Sequence, residues 1–437
     1  MFDLVTLLQC AAVCLDATTL RQLTVIVPAV LAMTGRVTML GISRWTDKGG
    51  SYRTVQRFFN TVINWGLLHW VLVKTHLLDP QDTYILAGDE VVVTKAGHDT
   101  HGLNRFFSSL YGKPVPGLAF FAFSLVSVQR RVAYPVRIGQ IIRPAATTAP
   151  PPAPTSPQEK RPRGRPTGSK NKNKEQVELS PYLVFIQSML RALLLLLRVD
   201  LAIRYLVLDG AFGYNDALQM VRQCELHLIS KLPVNSALYF PYEGPYSGRG
   251  PRRKYGAKIN YRKIPAQYRK ATSVEDGIRT DIYQMTMLHK LFAQPLNVVI
   301  IVKTNLKTGA QAHVILFSSD LALSYEQIID YYKLRFQIEF NFRDAKQYWG
   351  LEDFMNVKET PLPNAANLAF LMVNISRVLL QEVHIEDSQW SVQDLKAHYR
   401  GLKYVTETLK LLPQKPDPIL IQQITAKVAR IGSINAT

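Results

Sequence analysis

The chain has 437 residues, with 52 Lys and Arg against 33 Asp and Glu, and a formal net charge of +19. A hydrophobic fraction of 47% excludes wholesale disorder, and three cysteines (Cys10, Cys14 and Cys224) exclude a disulfide framework or a cysteine-only zinc ribbon. The length suits two to four domains of ~100–200 residues, the charge suggests a polyanion partner such as nucleic acid, and the cysteine usage fits a reducing cytosol.

Residues 1–78 read as a helical N-terminal DNA-binding domain. Leu4, Leu7, Leu8, Ala11 and Cys14 recur at helical spacing. After the break Thr46-Asp47-Lys48-Gly49-Gly50, Ser51 is a candidate N-cap. Tyr52, Arg53, Gln56 and Arg57 would then face outward while Val55, Phe58 and Phe59 pack inward. Helix, glycine turn and helix in this order resemble a DNA-reading helix-turn-helix; the plainer reading is a helical hairpin. No membrane span is expected: Leu193 to Leu197 is bracketed by Arg191, Arg198 and Asp200, and Leu23 to Met33 is short and contains Pro28. The start, Met-Phe-Asp, lacks the basic region of a signal peptide.

Residues 79–143 carry strand patterns at Tyr84–Thr94, Phe120–Val128 and Val132–Ile138, which suggest an antiparallel meander. Residues 144–178 are a Pro-rich, then basic, linker. Its Arg161-Pro162-Arg163-Gly164-Arg165-Pro166 resembles an AT-hook, in which Arg163 and Arg165 enter an A·T minor groove; a solvated linker is the alternative. In 179–232 a Leu-rich helix (Pro181 to Leu197), the strand Tyr205–Asp209, a short helix and the strand Leu226–Ser230 alternate as in an α/β core with parallel strands. Residues 233–320 form a basic, Tyr-rich, partly β insertion. Arg252, Arg253 and Lys254 lie among Tyr242, Tyr246, Tyr255 and Tyr261, the composition of a nucleic-acid clamp. In 321–360 one helix is expected from Ser324, capped by Ser324 with Gln327, through Lys346. Residues 361–437 read as helical.

Chemistry concentrates on a few acids. Asp89 interrupts an apolar strand, and Asp209 ends another just before a glycine turn; such carboxylates are costly to bury unless paired or metal-bound. On one continuous helix Tyr332, Arg335, Glu339 and Lys346 would fall within about 60° of one another. Asp89, Asp209 and Glu339 together offer the oxygen donors that suit Mg²⁺. Glu90 alternates to the opposite strand face and is read as a non-ligand. His98 and His101 lack a third soft ligand nearby and are read as loop residues, and Asp216 and Asp344 as solvent-facing helix charges.

Tyr332-x2-Arg335-x3-Glu339-x6-Lys346, with Asp89 in Gly-Asp-Glu and Asp209 in Leu-Asp-Gly, resembles the YREK signature and acid order of DDE transposases of bacterial insertion sequences. The resemblance implies an RNase H-like mixed α/β sheet with flanking helices, interrupted by a β-rich insertion. It implies a metal-binding catalytic triad at Asp89, Asp209 and Glu339 that uses two Mg²⁺ ions, with Mn²⁺ as a substitute. Tyr332, Arg335 and Lys346 would contact phosphates near the end of the element. The partners implied are double-stranded DNA, as element ends and target, and a second copy of the chain in a synaptic homodimer. A flipped base, where the pathway uses one, would stack on an aromatic ring among Tyr239, Tyr242, Tyr246 and Trp349. A non-catalytic DNA-binding protein and a non-recombining RNase H-like nuclease are the rival readings.

Overall fold

Helix caps punctuate the first part of the chain. The computed structural model describes residues 4–108, 111–143, 173–246, 248, 250–384 and 390–435. It begins with α1 (Leu4–Leu8), α2 (Ala17–Ala32), α3 (Met39–Ser43), α4 (Tyr52–Asn60) and α5 (Trp65–His76). Asp16 caps α2, Thr38 caps α3 and Asn64 caps α5; Ser51 accepts from the Thr54 N–H at the start of α4, as expected.

A meander follows: β1 (Tyr84–Thr94), β2 (Asn104–Ser108), β3 (Lys113–Ser127) and β4 (Val132–Ile141). Next come α6 (Pro181–Leu197), β5 (Tyr205–Leu208), α7 (Asn215–Arg222) and β6 (His227–Leu232). β3 runs antiparallel to β1, whereas β5 is parallel to β1 and β6 parallel to β5. The expected basic β-rich stretch contains β7 (Leu238–Pro241), β8 (Tyr255–Lys258), β9 (Arg269–Glu275), β10 (Ile278–His289), β11 (Leu296–Asn305) and β12 (Gln311–Ser318). Its last strands do not stand apart. β12 pairs with β6, giving a 12-stranded mixed sheet in the order β2-β3-β1-β5-β6-β12-β11-β10-β7-β8, with β4 against β3 and β9 against β10. The reason is apolar residues on both strand faces: Val298 and Ile300 pack into one core cluster, and Val299 and Leu316 into the other.

The last elements are α8 (Tyr325–Leu334), α9 (Gln337–Gln347), α10 (Pro361–His384), α11 (Val392–Leu411) and α12 (Pro418–Val428). The single helix expected from Ser324 to Lys346 is therefore two, joined at Arg335–Phe336. Around the joint, Phe336 N–H bonds to Lys333 O, Ile338 N–H to Arg335 O and Glu339 N–H to Phe336 O. These bonds reach back three residues instead of four and tighten the turn. The Ser324–Gln327 capping box is present as expected. Ser324→Ala lowers stability by about 1 kcal/mol, measured by denaturant unfolding.

One apolar cluster joins the N-terminal helices, one face of the sheet and α10, running from Leu7 to Leu395. Buried polar contacts reinforce that union. Trp65 Nε1 donates to Asn364 Oδ1 at 2.6 Å, and Asn364 Nδ2 donates to the carbonyls of Phe59 and Thr61 at 2.8 and 2.7 Å. A smaller cluster lies on the sheet beneath α8, with Ile85, Ala87, Val207 and Ile229. Among the described residues no helix is long and apolar enough to cross a membrane.

Candidate active site

The parallel register of β1 and β5 brings two acids together. Leu86, Ala87 and Gly88 lie opposite Leu206, Val207 and Leu208, so Asp89 and Asp209 follow as neighbours on strands about 4.8 Å apart. Ile85, Ala87 and Val207 face α8, and strand alternation turns Asp89 and Asp209 to that same face. Gly88 permits the close packing behind them: a β-carbon there would come within 2.8 Å of Leu208 Cδ2 and 3.0 Å of Phe121 Cζ.

Each aspartate has one oxygen held by the N–H of the following residue. Glu90 N donates to Asp89 Oδ1 at 2.8 Å, and Gly210 N to Asp209 Oδ1 at 2.6 Å. Burial pushes the Asp89 carboxyl up to about 6, against the pull of Arg335 and the Glu90 N–H; the charges of Asp209 and Glu339 push it the same way as burial. Glu90 itself lies on the α6 side of the sheet, where it accepts from the Tyr182 hydroxyl at 3.0 Å.

The joint between α8 and α9 delivers the rest. Arg335 Nη1 donates to Asp89 Oδ2 at 2.7 Å and Nη2 to Glu339 Oε1 at 3.3 Å, so one guanidinium spans two carboxylates. Burial works against its charge, but Asp89, Asp209, Tyr332 and Glu339 together hold its pKa above the ordinary value. Arg335 Nε is buried with no protein partner. The Tyr332 ring lies 5.9 Å from the guanidinium carbon. Burial raises the phenol pKa, with Arg335 opposing and the charges of Asp209 and Asp89 adding to the rise. Tyr332, Arg335 and Glu339 thus meet Asp89 and Asp209, while Lys346 is engaged elsewhere. Its ammonium donates to Val92 O at 2.9 Å and pairs with Glu352 at 2.8 Å.

The carboxylates supply oxygen donors only, the set that a Mg²⁺ ion takes. Among the described residues no three His, Cys, Asp or Glu side chains are grouped closely enough to hold one ion. Arg335 accounts for this by standing between Asp89 and Glu339. The donor chemistry fits a divalent cation once the guanidinium releases the carboxylates.

Other expected residues fall on separate surfaces. Tyr52, Arg53, Gln56 and Arg57 are exposed along the outer face of α4, with Val55, Phe58 and Phe59 buried beneath. Arg252, Arg253 and Lys254 are exposed in the turn between β7 and β8, with Arg253 over the Tyr242 ring at 4.7 Å. Arg163 and Arg165 lie outside the described residues. Two readings are corrected. Trp349 is 2% exposed beneath the Lys396 ammonium and cannot receive a base. Asp344 is not solvent-facing: it is buried against Arg343, at 2.9 Å, and feels the charge of Arg377. One neighbour of the acids was passed over in the sequence. Lys231 lies beside Asp209 on the next strand, and the alternation of Ile229-Ser230-Lys231 is the signal for it.

Residues 10–293 match the family described as DDE superfamily endonuclease. That stretch contains Asp89 and Asp209 and ends before α8 and α9. No curated protein matches the sequence. The β3-β1-β5-β6 order, antiparallel then parallel, with helices on both faces, one carboxylate within β1 and another just after β5, is the RNase H-like core that such nucleases use. The chain belongs to the DDE superfamily of endonucleases.

Proposed function

We propose that this endonuclease is a DNA transposase of the insertion-sequence type. It would bind the ends of its own element, hydrolyse a phosphodiester at each, and join the freed 3′-hydroxyls to target DNA. The observation that carries the reading is the single face on which Asp89, Asp209, Tyr332, Arg335 and Glu339 converge. A bare nuclease needs the acids; it does not need a tyrosine and an arginine from a preceding helix placed against them.

Asp89, Asp209 and Glu339 would hold two Mg²⁺ ions, or Mn²⁺ in their place. Bound there, such ions activate an attacking hydroxyl and stabilise the leaving oxygen. The protein's own residues prepare the site. The Glu90 and Gly210 N–H groups orient the two aspartates, and the β1–β5 pairing sets their separation. Arg335 neutralises Asp89 and Glu339 before DNA arrives, and its unpartnered Nε suits a phosphate oxygen once DNA is present. Tyr332 adds a phenol donor beside it. Lys346, on the same helix as Glu339, would exchange Glu352 for a phosphate near the element end.

Recognition would lie further out. The exposed face of α4, with Arg53 and Arg57, fits a major groove. Arg252, Arg253 and Lys254 supply phosphate contacts, and Arg163 and Arg165 would add minor-groove grip through the linker. Two ends held together imply a homodimer in the synaptic complex, in a nucleoid setting.

The test is a plasmid bearing the DNA that flanks the coding region, incubated with the protein, Mg²⁺ and a second plasmid. Excision of the bounded segment and its covalent joining through 3′ ends to the second plasmid is expected. Cutting without joining would leave an endonuclease and overturn the transposase reading; no cutting would overturn the DNA substrate as well.

A further inference from the structure

The acid row does not stop at Asp209. Tyr205, Leu206 and Val207 of β5 lie opposite His227, Leu228 and Ile229 of β6, and the register continues to set Lys231 beside Asp209. On its other side Lys231 pairs with Leu316 of β12. Leu228 and Leu232 belong to the large cluster, while Ile229 and Leu316 belong to the cluster beneath α8. Alternation therefore sends Lys231 to the α8 face, the face of Asp89, Asp209, Arg335 and Glu339. Asp89, Asp209 and Lys231 form one row across three adjacent strands, about 10 Å from end to end.

The lysine does not neutralise the acid beside it. Among the described residues neither Asp209 nor Lys231 makes an ion pair within 4.0 Å, although Arg335 pairs with both Asp89 and Glu339. The Lys231 stem runs alongside Gly210 instead: a β-carbon built on Gly210 would lie 3.5 Å from Lys231 Cβ and 3.7 Å from its Cδ. The side chain is half-buried. A half-buried lysine with no counter-ion, at the edge of an acidic pair, is poorly placed for stability alone. It is well placed for a polyanion that crosses the pair. Lys231 is thus a second cation beside the acids, next to Asp209, while Arg335 is paired with Asp89 and Glu339.

We propose that Lys231 is a substrate-contacting residue whose ammonium takes a non-bridging phosphate oxygen of the DNA strand on the β6 side of the acids. This rests on the DNA-cleaving function proposed above. It adds a phosphate contact beside Asp209, separate from the one Arg335 would make beside Asp89.

The test is the salt dependence of binding to a mixed-sequence DNA duplex in Ca²⁺, compared between the unaltered protein, Lys231→Met and Lys231→Arg. The methionine keeps the apolar stem and removes the charge. Each phosphate contact contributes about 0.9 to the slope of log affinity against log salt. Lys231→Met is expected to reduce the slope by about that amount and to weaken binding about tenfold; Lys231→Arg restores both. If Lys231→Met lowers the melting temperature, Lys231→Gln is read in its place. An unchanged slope in a folded, charge-free variant overturns the assignment and leaves the DNA-cleaving reading standing. Failure of the unaltered protein to bind any duplex would overturn that reading first, and the role of Lys231 with it.

Discussion

Asp209→Ala lowers DNA strand cleavage by about a thousandfold or more while duplex affinity changes by no more than about twofold. Asp89→Ala does the same. The separation follows from where the two kinds of residue lie. The acids sit on two adjacent strands, Asp89 within β1 and Asp209 just after β5, where a carboxylate repels phosphate and adds nothing to binding. The cations that would grip DNA lie on α4, in the β7–β8 turn and at the α8–α9 joint. For Asp89, burial and the neighbouring carboxylates push the carboxyl up to about 6, against the pull of its partner Arg335. Asp209, which makes no ion pair among the described residues, can be removed without lowering the melting temperature, whereas Asp89→Ala leaves the buried Arg335 guanidinium without its nearest counter-charge and melts earlier. Single-turnover cleavage and filter binding on the same preparations check the prediction. Near-normal cleavage by either variant would remove that aspartate from the catalytic set.

Arg335→Ala has the second large effect, and it acts on two observables in opposite senses. The variant loses about 3 kcal/mol of stability, because Asp89 keeps its burial and loses its charge partner. At the same time it binds Mn²⁺ more tightly without DNA, because nothing then competes for Asp89 and Glu339. The guanidinium contacts are 2.7 and 3.3 Å, and the Arg335 side chain is 12% exposed, so solvent screens the pair only weakly. Calorimetric titration of Mn²⁺ alongside denaturant unfolding separates the two effects. Lower stability with unchanged metal affinity would make Arg335 a structural counter-ion and nothing more.

Much of the architecture is legible in local pattern. Ser51, Ser324 and the Pro181 start announce their helices because capping is decided within four residues. Asp89 and Asp209 stand out because a carboxylate inside an apolar strand is rare enough to need a reason. What is not legible depends on pairing. The sequence does not say that β12 joins β6, because strand partners are chosen by faces that only the assembled sheet presents. For the same reason Lys231 looks like an ordinary strand lysine until β5 and β6 are set in register. The helix joint is hidden for a different cause. Arg335 and Phe336 are both compatible with a helix, and the tightened turn coincides with the anchoring of Arg335 on Asp89. Helical-wheel geometry therefore keeps Arg335 and Glu339 together, four residues apart, but does not foresee that Lys346 is drawn to Val92 and Glu352 instead. Trp349 has no local mark to distinguish a buried ring from one offered to a base; its cover comes from Lys396, far along the chain.

The bonds from Asn364 to Trp65, Phe59 and Thr61 have a consequence in time. A chain leaving the ribosome makes the α4 segment early, yet the groups that close off the end of α4 and the Trp65 indole belong to α10, made some three hundred residues later. Lys396 and Arg400 on α11 likewise donate to the carbonyls of Val30 and Ala32 that end α2. Most multidomain chains fold from the N-terminus as they are made; here the contacts that close off the ends of α2 and α4 are completed only when nearly the whole polypeptide has been made. A truncated product of a premature stop would thus carry the Arg53 and Arg57 side chains without the scaffold that holds them in place, and would be a poor competitor for the full-length protein on DNA.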